Sequence, residues 1–67
     1  MIEFKLHITM ADRRINQQSL SKLTGINKNT MSSYFNGTAK HIVVEHIDKI
    51  CNALNCDISD IIVLKKD

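Results

Sequence analysis

Proline and tryptophan are both absent from this chain of 67 residues, which holds only two glycines and three aromatic residues. Proline breaks helices and glycine weakens their interiors, so a chain nearly free of both is suited to helical structure. Apolar residues make up 43% of the chain, and ten of them are isoleucines. This composition favours a folded helical domain and argues against a disordered one.

Long apolar runs are also absent. No segment approaches the roughly 18 apolar residues that a membrane-spanning helix needs, and residues 1–5 lack the apolar stretch of a signal peptide. We therefore expect a cytoplasmic protein with no membrane partner. Its richness in isoleucine, asparagine and lysine suggests a bacterial, phage or mobile-element genome.

Cysteine is scarce, and its spacing does not indicate a metal site. Cys51 and Cys56 form one C-x4-C pair, without the C-x2-C pairs of zinc sites or a disulfide framework. We expect both thiols to be reduced, with Cys51 in the core. His41 and His46 belong to no recognisable nucleophile and base set, and a domain this small leaves little room for a catalytic cleft. We predict no enzyme activity, metal, cofactor or small-molecule ligand.

Acidic residues are missing from one half of the chain. Residues 13–44 contain five bases and no acid, whereas the remainder contains four bases and seven acids. Such an asymmetry attracts a polyanion to one side of the molecule and thereby orients it. The alternative is a chance cluster on a solvated face.

Two helix-compatible segments lie between Asn16 and Gly37 and are joined at Gly25. Both glycines fall where a helix has to end in a residue with positive φ. Asn16 is suited to cap a second helix, and Asn27 is suited to cap a third helix at about residues 28–35. This is the layout of a helix-turn-helix unit, here at about residues 17–35.

The flanking segments complete one predicted domain at residues 1–67. The start alternates like a strand and also carries a helical face, so we favour an extended segment to about Lys5 and a first helix to about Arg13. A fourth helix follows the loop at residues 38–43, and Asp57 is suited to cap a short fifth helix. Residues 62–64 have strand-forming side chains that can pair with the extended start. We predict an all-α fold of five helices with these short terminal segments.

The helical periodicity also predicts the core. In the second helix we expect Leu20 and Leu23 to face inward, and in the third we expect Met31 and Tyr34 to do so. The fourth helix carries an apolar stripe at three- and four-residue spacing. It consists of Val44, Ile47, Ile50, Cys51 and Leu54.

The outer face of the third helix offers groups that read DNA bases. Asparagine can bond adenine, lysine can donate to guanine, and serine can do either. The predicted base-reading residues are Lys28, Asn29, Ser32 and Ser33. The predicted phosphate contacts, by amide, backbone or cationic donors, are Asn16, Gln17, Asn27, Asn36, Arg13 and Lys40. The structural alternatives are a cap for Asn27, a turn residue for Asn36, and ordinary solvated surface for the serines and cations.

At these positions the sequence resembles the lambda-repressor-like family of helix-turn-helix proteins, also called XRE-like. The resemblance covers about residues 6–62 and rests on Gln17, Leu20, Ser21 and Gly25, together with the closing pair Asn36-Gly37. It implies that Asn16 and Gln17 touch the DNA backbone, that Lys28, Asn29 and Ser33 face bases, and that Asn27 and Asn36 lie near phosphates.

Two positions depart from the family pattern. Ser21 stands where alanine is usual, and it is small enough for close helix packing. Phe35 stands where a glutamate usually pairs with an arginine of the first helix, and the facing position here is Met10. We predict an apolar contact between Met10 and Phe35 in place of the ion pair.

The leading hypothesis is a sequence-specific regulator that binds double-stranded DNA and acts by occupying its operator. Because one helix reads few base pairs, we expect a homodimer on a pseudo-palindromic site. The alternative is a protein-interaction module that binds another regulator or a toxin through its apolar ends. That alternative predicts that replacing Lys28 and Asn29 leaves function intact.

Overall fold

The computed structural model describes residues 2–65, which form four α-helices and a small sheet. Strand β1 spans Ile2–Phe4, helix α1 Leu6–Arg13, α2 Gln17–Thr24, α3 Lys28–Asn36 and α4 Val44–Leu54; a 3-10 turn at Ile58–Asp60 precedes strand β2 at Ile62–Leu64. The predicted count of five helices is therefore wrong. Asp57 and Asp60 close a capping box around the 3-10 turn, and the chain becomes extended after Ile61 before a longer helix can form.

The two ends of the described chain pair as an antiparallel ribbon. Ile2 lies opposite Leu64 and Phe4 lies opposite Ile62, which confirms the pairing predicted from strand-forming residues. The backbone N–H of Lys5 continues the ladder by donating to the Ile61 carbonyl at 2.6 Å. The fold is therefore mostly helical, as predicted, with the paired terminal segments forming a small two-stranded sheet.

One hydrophobic core joins the helices, the sheet and the residue that follows the 3-10 turn. Its members are Phe4, Leu6, Met10, Leu20, Ile26, Met31, Tyr34, Ile47, Ile50, Leu54 and Ile61. Tyr34 is the largest of the fully buried side chains, and its hydroxyl lies 2.8 Å from His46 Nδ1. The hydroxyl also accepts the Val43 N–H at 3.4 Å, so α3 is tied to the start of α4.

The inward prediction for Leu23 is wrong, because this side chain is 65% exposed. Thr24 faces inward instead, next to Leu20 and Ser21. Its hydroxyl donates to the Leu20 carbonyl at 2.8 Å and accepts the Ile26 N–H at 3.3 Å, so the polar group is satisfied in the core. The i, i+3 spacing alone did not distinguish this face of α2 from its neighbour.

The apolar stripe of α4 is shorter than predicted. Ile47, Ile50 and Leu54 are buried, but Val44 is 83% exposed because it lies in the first turn, beyond the edge of the core. Cys51 is half-buried and packs against the core without belonging to it. Within residues 2–65, no helix is long and apolar enough to cross a bilayer.

Candidate DNA interface

The ends of α2 are defined by its own neighbouring residues. Asn16 is extended, at φ −95° and ψ 170°, and its Oδ1 accepts the Ser19 N–H at 2.8 Å. At the other end Gly25 has a φ of 74° and donates its N–H to the Ser21 carbonyl at 2.8 Å. The side-chain cap and the left-handed glycine satisfy backbone groups that a helix leaves unpaired at each end.

The ends of α3 are defined in the same way. Asn27 Oδ1 accepts the Asn29 N–H at 2.7 Å, and Gly37 has a φ of 72°. The N–H of Thr38 donates to the Ser33 carbonyl at 3.0 Å and closes the last turn. The two helices also pack directly against each other, so the Gly25 turn joins helices that are in contact.

Helix α3 has sharply divided faces. Met31 and Tyr34 are buried, whereas five polar residues occupy an arc of about 140° on the other side, given 3.6 residues per turn. We call this set the polar arc. Its members are Lys28, Asn29, Ser32, Ser33 and Asn36.

Two members of the polar arc have unused side chains. Lys28 and Asn29 are exposed, and among the described residues neither the Lys28 ammonium nor the Asn29 carboxamide has a hydrogen-bond partner. Only the backbone of Asn29 is hydrogen-bonded. Its N–H donates to Asn27 Oδ1, and its carbonyl accepts from Ser33 Oγ. A charged donor and an amide that both donates and accepts therefore remain available to a ligand.

The two serines differ in what they can still do. Ser33 Oγ donates to the Asn29 carbonyl at 3.1 Å, so its hydroxyl keeps only acceptor capacity. Ser32 Oγ accepts from Asn36 Nδ2 at 3.1 Å, so its hydroxyl keeps its hydrogen for donation. Sequence reasoning had assigned both serines the same mixed role.

The start of α2 offers donors to an anion. Asn16 is exposed and uses its Oδ1 in the cap, so its Nδ2 group remains to donate, and Gln17 is half-buried in the first turn. The helix dipole adds positive potential at this end. The two residues also line an open groove of about 470 Å³, whose other walls include His7, Met10 and Phe35.

The adjacent arginines Arg13 and Arg14 have opposite placements. Arg13 Nε donates to the Leu54 carbonyl at 3.0 Å, and its guanidinium pairs with Asp12. Arg14 is exposed, its guanidinium has no partner within residues 2–65, and it lies two residues before the α2 cap. Its backbone is left-handed, at φ 55°. Arg13 is thus engaged within the fold, whereas the Arg14 guanidinium remains available to a phosphate. The sequence had pointed to Arg13 and had not singled out Arg14.

The remaining predicted phosphate contacts lie around α3. Asn27 and Asn36 are exposed at its two ends, and Lys40 is exposed in the loop that follows it. The Asn27 cap uses Oδ1 and leaves its Nδ2 group to donate. Asn36, which was predicted as a phosphate contact, lies within the polar arc beside Ser32.

Comparison with known proteins agrees with this geometry. The sequence model of the Cro/C1-type helix-turn-helix DNA-binding domain matches residues 5–67. The chain belongs to this family. It is 32% identical over 66 residues, 98% of its length and 79% of the relative's, to the uncharacterized helix-turn-helix-type transcriptional regulator YozG of Bacillus subtilis (strain 168).

A solved structure shares the fold of this Cro/C1-type domain. The crystal structure of a candidate DNA-binding protein from Bacteroides fragilis superimposes with a TM-score of 0.82. The match covers 94% of this chain and 100% of that chain at 19% sequence identity. At this identity the likeness concerns the fold alone.

Phe35, where the resemblance implies a glutamate, lies beside the core of this Cro/C1-type domain. Its ring packs against the core and meets the His7 ring edge to face, with centroids 6.1 Å apart and planes at 71°. Met10 is buried, and both Met10 and Phe35 line the groove beside the start of α2. His7 is thus a ring partner of Phe35 that the sequence did not indicate, and the direct contact of Met10 with Phe35 stays a prediction.

Proposed function

We propose that this chain is a transcriptional regulator that acts by occupying a specific site on double-stranded DNA, with α3 in the major groove. The observation that carries this proposal is the polar arc of α3, in which the side chains of Lys28 and Asn29 are exposed and have no hydrogen-bond partner within residues 2–65. Lys28 donates to guanine and Asn29 pairs with adenine, while Ser32 donates and Ser33 accepts. The description of the Bacillus subtilis relative as a transcriptional regulator supports the same role.

The proposed phosphate contacts surround this helix and hold it in register. They are Asn16, Gln17, Asn27, Asn36 and Lys40, with Arg14 in place of Arg13. Side-chain amides and helix N-termini commonly donate to phosphates, and such contacts orient a protein on DNA without reading its sequence. The acid-free stretch of residues 13–44 contains all of them, so no carboxylate of that stretch opposes the approach of DNA.

We further propose that the chain binds as a homodimer. One copy of α3 reaches only a few base pairs, and two copies on half-sites about 34–36 Å apart read enough sequence for useful specificity. The operator is then a pseudo-palindrome with half-sites one helical turn apart.

Selection from random DNA at defined salt tests both proposals. We expect a symmetric enriched site, and a plot of log affinity against log salt with a slope of about −7 if each subunit makes about four phosphate contacts. An asymmetric site would overturn dimeric binding. Affinity that does not change with salt, or the absence of any enriched sequence, would overturn the proposed function.

A second candidate function is a protein-interaction module, and exposed apolar residues favour it. Ile2, Ile58 and Leu64 are about half exposed or more, and they line an apolar groove together with Val63. This candidate predicts that the variant Lys28→Ala plus Asn29→Ala keeps its function while substitution of Ile58 by aspartate removes it. The DNA-binding proposal predicts the reverse.

A further inference from the structure

Two cysteines five residues apart meet at the end of α4. Asn55 ends this helix in the left-handed region, at φ 52°, and both its N–H and that of Cys56 donate to the Cys51 carbonyl. The Cys56 bond is 3.0 Å long. In caps of this kind the residue after the left-handed one folds back over the residue whose carbonyl accepts, and contact between their side chains is frequent. Here the backbone bond from Cys56 to Cys51 brings the two thiol-bearing residues side by side.

Both thiols are free and only half-buried. Cys56 also lines an open polar pocket, whose other residues are Arg13, Asn55, Asp57 and Asp60. A small polar reagent can therefore approach Cys56 without unfolding the domain. Cys51, whose carbonyl accepts the Cys56 N–H, is the neighbouring residue that can supply a resolving thiol.

We propose that Cys51 and Cys56 form a reversible intramolecular disulfide in the folded protein by exchange with a small-molecule disulfide. The Cys56 thiolate attacks one sulfur of the reagent, forms a mixed disulfide and releases one thiolate. Cys51 loses its proton and attacks the Cys56 sulfur, which forms the Cys51–Cys56 bond and releases the second thiolate. The protein loses two electrons and two protons, and the reagent is reduced to two thiols. This modification site is independent of the proposed DNA-binding function.

The surroundings of the pair set its reactivity. Burial raises the pKa of Cys56 to about 11, helped by the Cys51 thiol and by Asp60, while Arg13 acts in the opposite direction. Burial also raises the pKa of Cys51, with the negative charges of Asp57, Asp48 and Asp60 adding to it and the bond from Cys56 opposing it. A thiol with a raised pKa reacts slowly at neutral pH because little of it is thiolate, but the disulfide that such thiols form resists reduction.

The test uses the whole chain in mixtures of reduced and oxidised glutathione, quenched with an alkylating agent and analysed by mass. We expect wild type to lose both alkylatable thiols together, with a mass change of two hydrogen atoms, no retained glutathione and no covalent dimer. Below the Cys56 pKa the rate should rise about tenfold per pH unit, because the thiolate is the nucleophile. Cys51→Ser and Cys56→Ser each retain one cysteine, which should be found either as a free thiol or as a single glutathione adduct.

Thermal unfolding of the two redox forms shows whether the fold itself favours the bond. A disulfide that the folded geometry accepts leaves the Tm of the oxidised protein equal to or above that of the reduced protein. A lower Tm in the oxidised form would overturn the proposal, since the fold would then oppose the bond. Two glutathione adducts on wild type, covalent dimers, or oxidation seen only in urea-unfolded chain would overturn it as well.

Discussion

The four helices fall into two pairs that differ in how their ends are made. The inner pair, α2 and α3, begins at asparagines whose side chains cap the helix and ends at glycines with positive φ. The outer pair, α1 and α4, begins at Lys5 and Val43, which make no side-chain cap, and ends at non-glycine residues in the left-handed region. The helix-turn-helix unit thus has locally encoded boundaries, and the flanking helices do not.

Long-range hydrogen bonds hold α1 in place instead. Thr9 Oγ1 donates to the Asp60 carbonyl at 2.6 Å, and Arg13 Nε donates to the Leu54 carbonyl. These bonds join α1 to the end of α4 and to the 3-10 turn. The surface proposed to read DNA therefore lies on the pair of helices whose ends depend least on the rest of the fold.

The largest expected effect comes from the core, because α2 is stable only when its apolar face is buried, even though its ends are defined by neighbouring residues. Leu20 is fully buried, so Leu20→Ala should lower the free energy of unfolding by about 2–5 kcal/mol in urea denaturation. Leu23→Ala is the matched control on the same helix and should change it by no more than about 0.5 kcal/mol. Equal losses would mean that α2 packs on a different face.

The next comparison concerns the helix C-termini. Nothing lies within 4 Å of a side chain placed at Gly25, so Gly25→Ala should cost about 1–2 kcal/mol through its left-handed backbone alone. Arg14→Gly should do the opposite at the end of α1 and gain up to about 1 kcal/mol. Thermal unfolding measures both, and a loss from Arg14→Gly would show that this side chain contributes more to the fold than its exposure indicates.

The N-termini give a smaller effect of the same kind. Asn27→Ala removes the α3 cap and should cost about 1 kcal/mol. Val43→Asp supplies a cap that α4 lacks, at an exposed and extended residue, and should gain about 0.5–1 kcal/mol in chemical denaturation. Val43→Ala serves as its control and should give no gain. If Asn27→Ala lowered the stability but Val43→Asp did not raise it, side-chain capping would stabilise only α2 and α3.

The smallest expected effect concerns a buried hydroxyl group in α2. Ser21 Oγ is buried and is the only such side-chain polar atom in residues 2–65 that lacks a hydrogen-bond partner. Ser21→Ala should therefore stabilise the protein by about 0.5–1 kcal/mol, from relief of this group and better helix propensity. Ser19→Ala, on the exposed side of α2, gains only the propensity contribution. If both changes gave the same gain in thermal unfolding, burial of the hydroxyl would have no cost.

The difference between the pairs also explains what could be predicted from the sequence. The asparagine caps and glycine ends are visible in the sequence, so the bounds of α2 and α3 were predicted within one residue. Which of Leu23 and Thr24 is buried, and which of Arg13 and Arg14 is hydrogen-bonded through its side chain, depends on residues distant in the chain. The 3-10 turn was predicted as a fifth helix, because its cap is visible but the strand pairing that ends it is not.

The proposed site was predictable to a similar degree. The outward placement of Lys28 and Asn29 follows from helical periodicity around the buried Met31 and Tyr34. The unequal roles of Ser32 and Ser33 depend on two specific hydrogen bonds that no pattern of residue types reveals. The edge-to-face contact of His7 with Phe35 likewise required the packed structure.

The most direct test of the account compares two double variants on a selected DNA site and a scrambled one. Lys28→Ala plus Asn29→Ala removes the exposed lysine and asparagine side chains of α3. Lys49→Ala plus Asn52→Ala removes the same residue types from the exposed side of α4. The control variant also loses the surface ion pair of Lys49 with Glu45, which contributes little to stability. We predict that the first variant loses about 100-fold or more of specific affinity and its preference for the selected site, while the second stays within about twofold of wild type. An unchanged preference in the first variant would contradict the account.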